Sequence, residues 1–304
     1  MATSRRVATG PAGLLATLRR HRWPYLFIAP FYLLYGGFML YPVVFSFWLS
    51  FHDWRGQRGV VFLGLGNYRR LIEDDLFWTS LANTFLIGLM YVPLMLALAL
   101  VLAVLLNSAL LRLRTFFRAA IFSPYITSLV IMALVFALIY NDQAGVLNYL
   151  LGLVGLPAVH WTTSTEWSKV SVAGLLLWHW TGYNTVLMLA GLQAIPSELY
   201  EAAAIDGASA GRRFLHITIP LMRPVILFTA VLSTIGTFKI FAEPYILTGG
   251  GPLNSSLTVL LYLYNQAFQG FKLGYASALA YVVVGIVFVL SLLQFRLLRE
   301  RDDR

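Results

Sequence analysis

The sequence predicts an all-α membrane protein built as a bundle of six transmembrane helices. Hydrophobic residues make up 59% of the 304 residues, charged residues only 12%, and the mean hydropathy is +0.74, which is far above the range of soluble domains. The apolar runs are continuous and do not alternate with a period of two. Helices satisfy their own backbone hydrogen bonds in lipid, so they are favoured over a β-barrel.

Six segments are long enough to cross a hydrocarbon core of about 30 Å, which needs about 20 apolar helical residues. The predicted spans are 24–50, 80–106, 116–140, 170–193, 220–247 and 275–297. One membrane domain is therefore expected over 24–298, in contact with the lipid bilayer. It lies between a basic tail at 1–23, either an interfacial helix or disordered, and a short tail at 299–304.

The distribution of basic residues predicts the orientation. If the N-terminus is cytoplasmic, fifteen of the 22 Lys and Arg residues flank the spans on that side, as the positive-inside rule requires. Both termini and the segment around Glu201 are then cytoplasmic. The net charge of +9 is spread over these flanks, so it does not indicate a nucleic-acid partner.

The two longer segments on the other side are expected to be ordered. Residues 51–79 predict a small cap with aromatic residues at interface depth. Residues 141–169 contain several turn formers, which favour short re-entrant or surface helices.

A polar interruption at 196–220 separates the fourth and fifth predicted spans. Ser197 is predicted to cap a first helix, in which Ala202, Ala203 and Ala204 favour helical structure. Gly207 ends that helix, and Ser209 caps a second helix that is expected to stop near Pro220. The segment is therefore predicted to be a helix, a tight turn and a helix.

The spacing alone leaves two readings of this segment open. Small residues at its tip would let a partner approach closely, but a simple connection between two spans fits as well. A helix-turn-helix that reads DNA is a formal match, but its position between membrane spans disfavours it.

Beyond spacing, the segment resembles a known signature. The run Glu201-Ala-Ala-x-Ile-Asp-Gly-Ala208, followed by Phe214, Ile217, Pro220 and Pro224, is similar to the EAA motif of binding-protein-dependent ABC importer permeases. Leu189-Ala-Gly-Leu-Gln-Ala-Ile-Pro196 and Leu247-Thr-Gly-Gly-Gly-Pro252 resemble the carbohydrate branch of that family, in particular its first permease of the maltose, lactose and glycerol-3-phosphate type.

The resemblance implies a type I ABC importer permease fold in a prokaryotic cell membrane, and a function in sugar import. It also implies three partners: a second homologous permease, a dimer of ATP-binding subunits and an extracytoplasmic sugar-binding protein. In this family the loop is the coupling helix that enters a cleft on the ATPase. The corresponding ATPase-docking residues are Glu201, Ala202, Ala203, Asp206 and Gly207.

The sequence predicts no catalytic centre, cofactor or metal site in this chain. A phosphate-binding loop needs Gly-x4-Gly-Lys before Ser or Thr, but Lys169, Lys239 and Lys272 precede Val, Ile and Leu. ATP is therefore expected to bind to a partner subunit. The five histidines lack the spacing of metal ligands.

Polar residues inside the spans mark the expected substrate path, because lipid exposure of such residues is costly. One cluster, Trp178 to Asn184, lies in the fourth span, and Ser233, Thr237, Lys239 and Glu243 are expected to form one stripe along the fifth. The candidate path residues are Tyr183, Asn184, Ser233, Thr237 and Lys239.

Several of these residues have a simpler structural interpretation. Trp178 and Trp180 are typical packing or interface anchors, and Ser233 and Thr237 are equally able to bond to helix backbone. Lys239 and Glu243 are expected to form an ion pair, although Lys239 leaves an anionic ligand open.

The resemblance adds to the substrate-path assignment at three positions. Tyr183, Ser233 and Thr237 fall where maltose-type permeases place sugar contacts. Thr237 stands where that family has asparagine.

Two other classes remain as alternatives. An ion-coupled secondary transporter would need carboxylates inside its spans, and Glu243 is the single candidate. A receptor would need a signalling domain, for which the tails at both ends are too short.

Overall fold

The computed structural model describes residues 22–56, 59–108 and 111–299, with side chains described up to 296. Nearly all of the predicted N-terminal tail and residues 300–304 lie outside the described residues. The helices, strands and π-helical turns are α1 Arg22–Tyr35, π1 Gly36–Leu40, α2 Tyr41–Leu49, β1 His52–Asp53, β2 Val61–Phe62, α3 Gly66–Ile72, α4 Asp75–Asn107, α5 Arg114–Ile126, α6 Leu129–Ile139, α7 Val146–Leu153, α8 Trp167–Gln193, α9 Ser197–Ile205, α10 Ala210–Arg213, π2 Phe214–Thr218, α11 Ile219–Thr237, α12 Ala242–Leu247, α13 Val259–Tyr264, π3 Asn265–Gln269 and α14 Leu273–Arg299.

Four helical segments of the described chain are long and apolar enough to cross a membrane. They are Arg22–Leu49, Asp75–Asn107, Ala210–Thr237 and Leu273–Arg296. A fifth is α5 with α6, if this bent pair is a single span. The helix predicted at 170–193 is present as α8 but does not belong to this set, since polar residues interrupt its apolar run. The structure thus confirms a helical bundle with four or five candidate spans.

The span predicted at 116–140 is present as two helices and not as one continuous helix. Helices α5 and α6 meet at a bend of 95°, where Thr127 and Ser128 adopt extended backbone. The Thr127 hydroxyl donates to the Ser123 carbonyl, so a side chain competes for the bond that a continuing helix would make.

The prediction for 220–247 is wrong at both ends. The helical segment starts at Ala210 and ends at Thr237, and α12 follows as a separate short helix. Pro244 has no amide to offer the Ile240 carbonyl, which instead accepts a hydrogen bond of 2.8 Å from the Thr258 hydroxyl. The break therefore leaves no unpaired backbone at this carbonyl.

Helices α4 and α8 form the centre of the bundle and run parallel. One buried cluster joins Ile87 of α4 to Leu175 of α8, and another joins Ala103 to Leu192. Helix α11 runs in the opposite direction, because Met222 lies in the second cluster while Thr237 contacts α4 near Gly88. We call the two ends of the bundle the Asp74 end and the Gly207 end.

The described parts of the two segments beyond the Asp74 end form regular structure, as predicted. In the first, β1 and β2 pair antiparallel with His52 opposite Phe62, and the Asn67 amide donates to the Ser50 and His52 carbonyls at 2.9 Å. In the second, the Asn148 amide donates to the Val159 carbonyl at 2.9 Å and ties α7 to the following loop.

Glycines set the closest helix contacts. A Cβ at Gly182 of α8 would lie 2.0 Å from the Ile121 carbonyl oxygen of α5, and one at Gly88 of α4 would lie 2.7 Å from Thr237 Cγ2 of α11. The first contact is with backbone, which cannot rotate away. Helix α5 therefore requires glycine at position 182.

Asp74 ties three elements together at its end of the bundle. Its carboxylate caps α4 by accepting from the Leu76 and Phe77 amides at 3.0 and 3.4 Å. It also accepts hydrogen bonds from the Tyr262 and Tyr275 hydroxyls. Partial burial raises the pKa of this carboxyl, but the hydrogen bonds from Tyr262, Tyr275, Phe77 and Leu76 outweigh it and hold the pKa below its ordinary value of 3.8.

We expect Gly182→Ala to destabilise the bundle, because the added Cβ forces α5 and α8 apart. The matched control is Gly285→Ala, since a Cβ at Gly285 in α14 meets nothing within 4 Å and alanine is the better helix former. The yield of monodisperse protein after heating in detergent measures the difference. Equal survival of both variants would contradict the close contact.

We expect Asp74→Asn to cost about 1 to 2 kcal/mol near neutral pH, because hydrogen bonds to a charged acceptor become neutral ones. A lowered native pKa means that this stabilisation is present above pH 3.8 and is lost as the pH falls through the native pKa. Thermal unfolding at pH 7 and in steps below pH 4 should show the wild type approaching the variant. A constant gap at every pH would rule out the charge of Asp74 as its cause.

Candidate functional site

The loop at the Gly207 end contains a helix and a capped turn, residues 197–209, which we call the knob. Helix α9 starts at Ser197, but its N-cap is Pro196 and no side chain caps it, so the predicted cap by Ser197 is wrong. Its end is as predicted: Gly207 has φ +77°, and the Gly207 and Ala208 amides donate to the Ala204 and Ala203 carbonyls at 3.1 and 2.8 Å. This is a Schellman cap, which glycine allows at no steric cost.

The docking residues predicted from sequence lie close together on the knob. Glu201, Ala202, Asp206 and Gly207 are exposed, whereas Ala203 is half-buried. The sequence analysis missed Ile205, whose side chain is 87% exposed at the end of α9. An apolar side chain beside the terminating glycine was the available signal, since large apolar residues at a loop tip favour a contact surface.

The second helix of the loop does not stop at Pro220, contrary to the prediction. The Ser209 hydroxyl accepts from the Arg212 amide, as predicted, but α10, π2 and α11 then form one segment from Ala210 to Thr237. Proline lacks the amide that an α-helix needs. The π-helical turn π2 ends at Thr218, shortly before Pro220, and at its end the Ile219 amide donates to the Phe214 carbonyl five residues earlier. The helix thus continues through Pro220 from a wider turn.

One side-chain contact braces the knob against this helix. The Tyr200 and Thr218 hydroxyls share a hydrogen bond of 2.9 Å, and Thr218 is buried. The helical segment from Ala210 to Thr237 has 28 residues and spans about 40 Å at 1.5 Å per residue. One helical segment therefore connects the knob to the middle of the bundle.

A cavity of about 250 Å³, here called the tyrosine cavity, lies at the far end of that element. It is lined by residues of α4, α5, α8 and α11. Its lining residues are Tyr91, Met95, Tyr125, Trp180, Tyr183, Asn184, Leu232, Ser233 and Gly236.

Aromatic rings form one wall of the tyrosine cavity. Tyr125 and Tyr183 stack with centroids 4.7 Å apart and planes 29° from parallel, and Trp180 meets Tyr183 edge-on at 6.0 Å. In the described part of the chain, no hydrogen bond engages the Tyr125 or Tyr183 hydroxyl or the Ser233 hydroxyl. The wall thus offers flat apolar faces with free donors and acceptors beside them.

The structure brings three of the five predicted path residues to this cavity: Tyr183, Asn184 and Ser233. Asn184 is buried, and its amide donates to the Trp180 carbonyl at 3.0 Å. Thr237 does not line the cavity. Its hydroxyl donates to the Ser233 carbonyl at 2.8 Å and shares a bond of 2.9 Å with the Tyr91 hydroxyl, so it holds Tyr91 in place.

Lys239 lies outside the cavity. It follows the break after Thr237, is exposed, and borders a separate apolar groove of about 610 Å³ between α11 and α14. Glu243 is buried on α12, and among the described ion pairs none joins these two residues. The predicted polar stripe and the predicted ion pair are therefore wrong, because the helix ends between Thr237 and Lys239.

The sequence analysis missed Tyr91 and Tyr125 as cavity residues. Both are tyrosines within apolar runs, and such residues inside a span need a polar partner or a cavity. That signal was available at both positions. What the sequence could not show was the bend after Ile126, which decides where α5 ends and how Tyr125 meets Tyr183.

The described part of the chain thus combines apolar helices long enough to cross a membrane, an exposed loop and a cavity between helices. Residues 10–301 match the family described as binding-protein-dependent transport system inner membrane component. The chain belongs to that family and is a multi-pass membrane permease.

Among curated relatives, the lactose transport system permease protein LacF of Rhizobium radiobacter is 44% identical over 282 residues, which cover 91% of this chain and 94% of the relative. The arabinooligosaccharides transport system permease protein AraP of Bacillus subtilis (strain 168) is 37% identical and covers 90% of this chain and 88% of its own. The trehalose/maltose transport system permease protein MalF of Thermococcus litoralis is 34% identical over 94% of this chain and 96% of its own.

A solved structure shares the fold. A chain of a bacterial ABC transporter involved in the import of the acidic polysaccharide alginate superposes with a TM-score of 0.82 and 21% identity. The match covers 95% of this chain and 99% of that one. At this identity the likeness speaks for the fold alone.

Proposed function

We propose that this chain is one of two permease subunits of an ATP-driven importer that carries carbohydrates across the cell membrane. Membership of the family supports the class, and relatives named for lactose, arabinooligosaccharides and trehalose or maltose support the substrate class. The observation that carries the proposal is the tyrosine cavity and its connection to the exposed knob by one continuous helix.

The chemistry of the cavity suits a sugar. A pyranose or furanose presents an apolar C–H face, which packs on aromatic rings such as Tyr125 and Tyr183, and a rim of hydroxyls, which need donors and acceptors. The free hydroxyls of Tyr125, Tyr183 and Ser233 can supply them. Thr237 contributes indirectly, because its hydroxyl holds the Tyr91 side chain that lines the cavity. Lys239 is not assigned to the substrate path.

In this proposal the chain has six spans, and both termini and the knob face the cytoplasm. The basic residues around the Gly207 end support this orientation. The sixth span is α8, in which Tyr183 and Asn184 line the cavity. The Asp74 end then faces the cell exterior.

The knob is proposed to dock into a dimer of ATP-binding subunits, which bind and hydrolyse ATP in place of this chain. Glu201, Ala202, Asp206 and Gly207 supply a small and charged surface, and Ile205 supplies an apolar anchor at its centre. Ala203 supports them from the inner side, where its carbonyl closes the helix cap.

A second, homologous permease is proposed to cover the faces that this chain leaves open. No residue of Arg22–Leu40 is buried, although the segment is rich in large apolar side chains. Such a span needs lipid or another helix around it. The two permeases together would enclose the path.

The transport cycle follows from these parts. A loaded extracytoplasmic sugar-binding protein docks at the Asp74 end, and closure of the ATPase dimer moves the knobs. The helix from Ala210 to Thr237 carries that movement to Ser233 and Gly236 in the cavity wall. The cavity then opens toward one side of the membrane at a time.

An ion-coupled transporter would need a carboxylate in the path. Glu243, the single candidate from the sequence, does not line the tyrosine cavity. None of the reported relatives is an ion-coupled transporter, so no observation favours this alternative.

We expect Gly207→Asp to abolish at least about nine-tenths of ATP-dependent uptake, because a side chain at the tip blocks close docking. Aspartate tolerates positive φ better than most residues, so the fold should survive. Copurification of an ATPase with the tagged permease, together with uptake in proteoliposomes, measures the effect. The control is Gly211→Asp, which adds the same charge at an open helical position of the same loop, and normal uptake by Gly207→Asp would disprove the docking role.

We expect Tyr183→Ala to change the rate or the order of preference among sugars without releasing the ATPase, because it removes one of two stacked rings. Tyr183→Phe keeps the aromatic ring and removes only the hydroxyl, so we expect it to change uptake less than Tyr183→Ala does. Trp178→Ala serves as the control, since Trp178 is on the same helix but faces outward at 44% exposure. Unchanged uptake of lactose, maltose and arabinose oligomers by Tyr183→Ala would assign Tyr183 to packing.

A further inference from the structure

A second, polar pocket lies at the Asp74 end of the bundle, far from the tyrosine cavity. Its volume is about 380 Å³. We call it the Arg70 pocket, and its charged lining residues are Asp53, Arg55, Arg70, Glu73, Asp74 and Lys272. Nothing in the transport path described above uses it.

The carboxylates that line the Arg70 pocket already have partners. Asp53 pairs with Arg55 at 3.4 Å, and Glu73 pairs with Arg69 at 3.2 Å. Asp74 accepts from two tyrosine hydroxyls and two backbone amides. Both carboxylate oxygens of Asp74 therefore already accept hydrogen bonds from within the chain.

The cations are not balanced in the same way. Within the described ranges, Arg70 and Lys272 form no ion pair and no side-chain hydrogen bond. Both side chains are exposed. An arginine and a lysine in one pocket, with the nearby carboxylates engaged elsewhere, form a site for an added carboxylate.

The backbone holds Lys272 in a fixed position. Its amide donates to the Gln266 carbonyl at 2.9 Å, and the next amide, of Leu273, donates to the Trp54 carbonyl at 3.0 Å. The preceding residue, Phe271, has φ 51° and is 60% exposed. This left-handed conformation is unfavourable for a residue with a Cβ and persists only where the surrounding structure holds it.

The position of the pocket indicates which partner it meets. It lies at the end of α4 opposite to the knob, and under the proposed function that end faces the extracytoplasmic binding protein. The pocket lining carries charges of both signs, and a protein surface can complement it with an acidic side chain near Arg70 and Lys272.

We propose that the Arg70 pocket is a docking point for the binding protein, in which Arg70 and Lys272 receive an aspartate or glutamate from its surface. This inference rests on the proposed function and adds the residues that recognise that partner. Exposed charges of this kind steer association and weaken as salt screens them.

The test uses the whole transporter reconstituted in nanodiscs together with its binding protein. The concentration of binding protein that half-saturates ATPase stimulation is measured for the wild type, R70Q/K272Q and R70E/K272E. We expect an increase of at least about tenfold for the glutamate pair, a smaller one for the glutamine pair, and a weaker salt dependence in both. R69Q is the matched control, since Arg69 is the adjacent arginine on α3 but does not line the pocket.

A zero-length carbodiimide reagent gives a direct readout, because it joins a lysine amine only to a carboxylate in contact with it. We expect a cross-link between Lys272 and an acidic residue of the binding protein. K272R should keep normal stimulation and lose the cross-link, and Lys169 and Lys239, the other lysines of the chain, should not form one.

The outcomes separate the two proposals. If the wild type is stimulated by the binding protein, but R70E/K272E has the same half-saturating concentration and Lys272 forms no cross-link, the docking point is wrong and the importer stands. If the wild type is not stimulated at all, the proposed function falls and the docking point with it. If the effect of the variants follows the anionic lipid content of the nanodiscs instead of the binding protein, the pocket binds lipid headgroups and the docking point is overturned. Unaltered basal ATPase activity of each variant shows that the complex is intact.

Discussion

The contact between α5 and α8 at Gly182 is the constraint on which the candidate site depends. Gly182 has no Cβ, so the Ile121 carbonyl oxygen of α5 can lie where the side chain of any other residue would be. Tyr183 is the next residue on α8, and Tyr125 lies one turn beyond Ile121 on α5. The close approach of the two backbones therefore brings these rings within stacking distance.

The same logic extends to α4 and α11. Gly88 lets Thr237 come close enough for its hydroxyl to reach Tyr91, so two glycines on different helices fix opposite walls of one cavity. Polar side chains then complete the arrangement. The Thr237 hydroxyl and the Asn184 amide each donate a hydrogen bond to a backbone carbonyl of their own helix. The hydroxyls of Tyr125, Tyr183 and Ser233 remain available in the cavity wall.

Much of this architecture could be predicted from the residues. The length of the apolar runs identified the helices, and the Gly207 and Ser209 caps were predicted because capping depends on local backbone geometry. The errors occurred where contacts between residues distant in sequence determine where a helix bends or ends. The bend at Thr127, the break after Thr237 and the passage through Pro220 depend on which carbonyls find other donors, such as Thr258 for Ile240. A stripe drawn by helical spacing through Lys239 and Glu243 fails once the helix ends between them. Arg70 and Lys272 are far apart in sequence, so their pocket was not visible there.

The Schellman cap at Gly207 has a consequence for hydration. The last carbonyls of a helix normally need water, and a surface that covers them must leave them unpaired or supply donors. Here the Gly207 and Ala208 amides already satisfy the Ala204 and Ala203 carbonyls. The tip of α9 can therefore be covered and uncovered repeatedly without losing backbone hydrogen bonds at these two carbonyls. A helix end of this kind is desolvated at low cost, a property that would suit the docking role proposed for the knob.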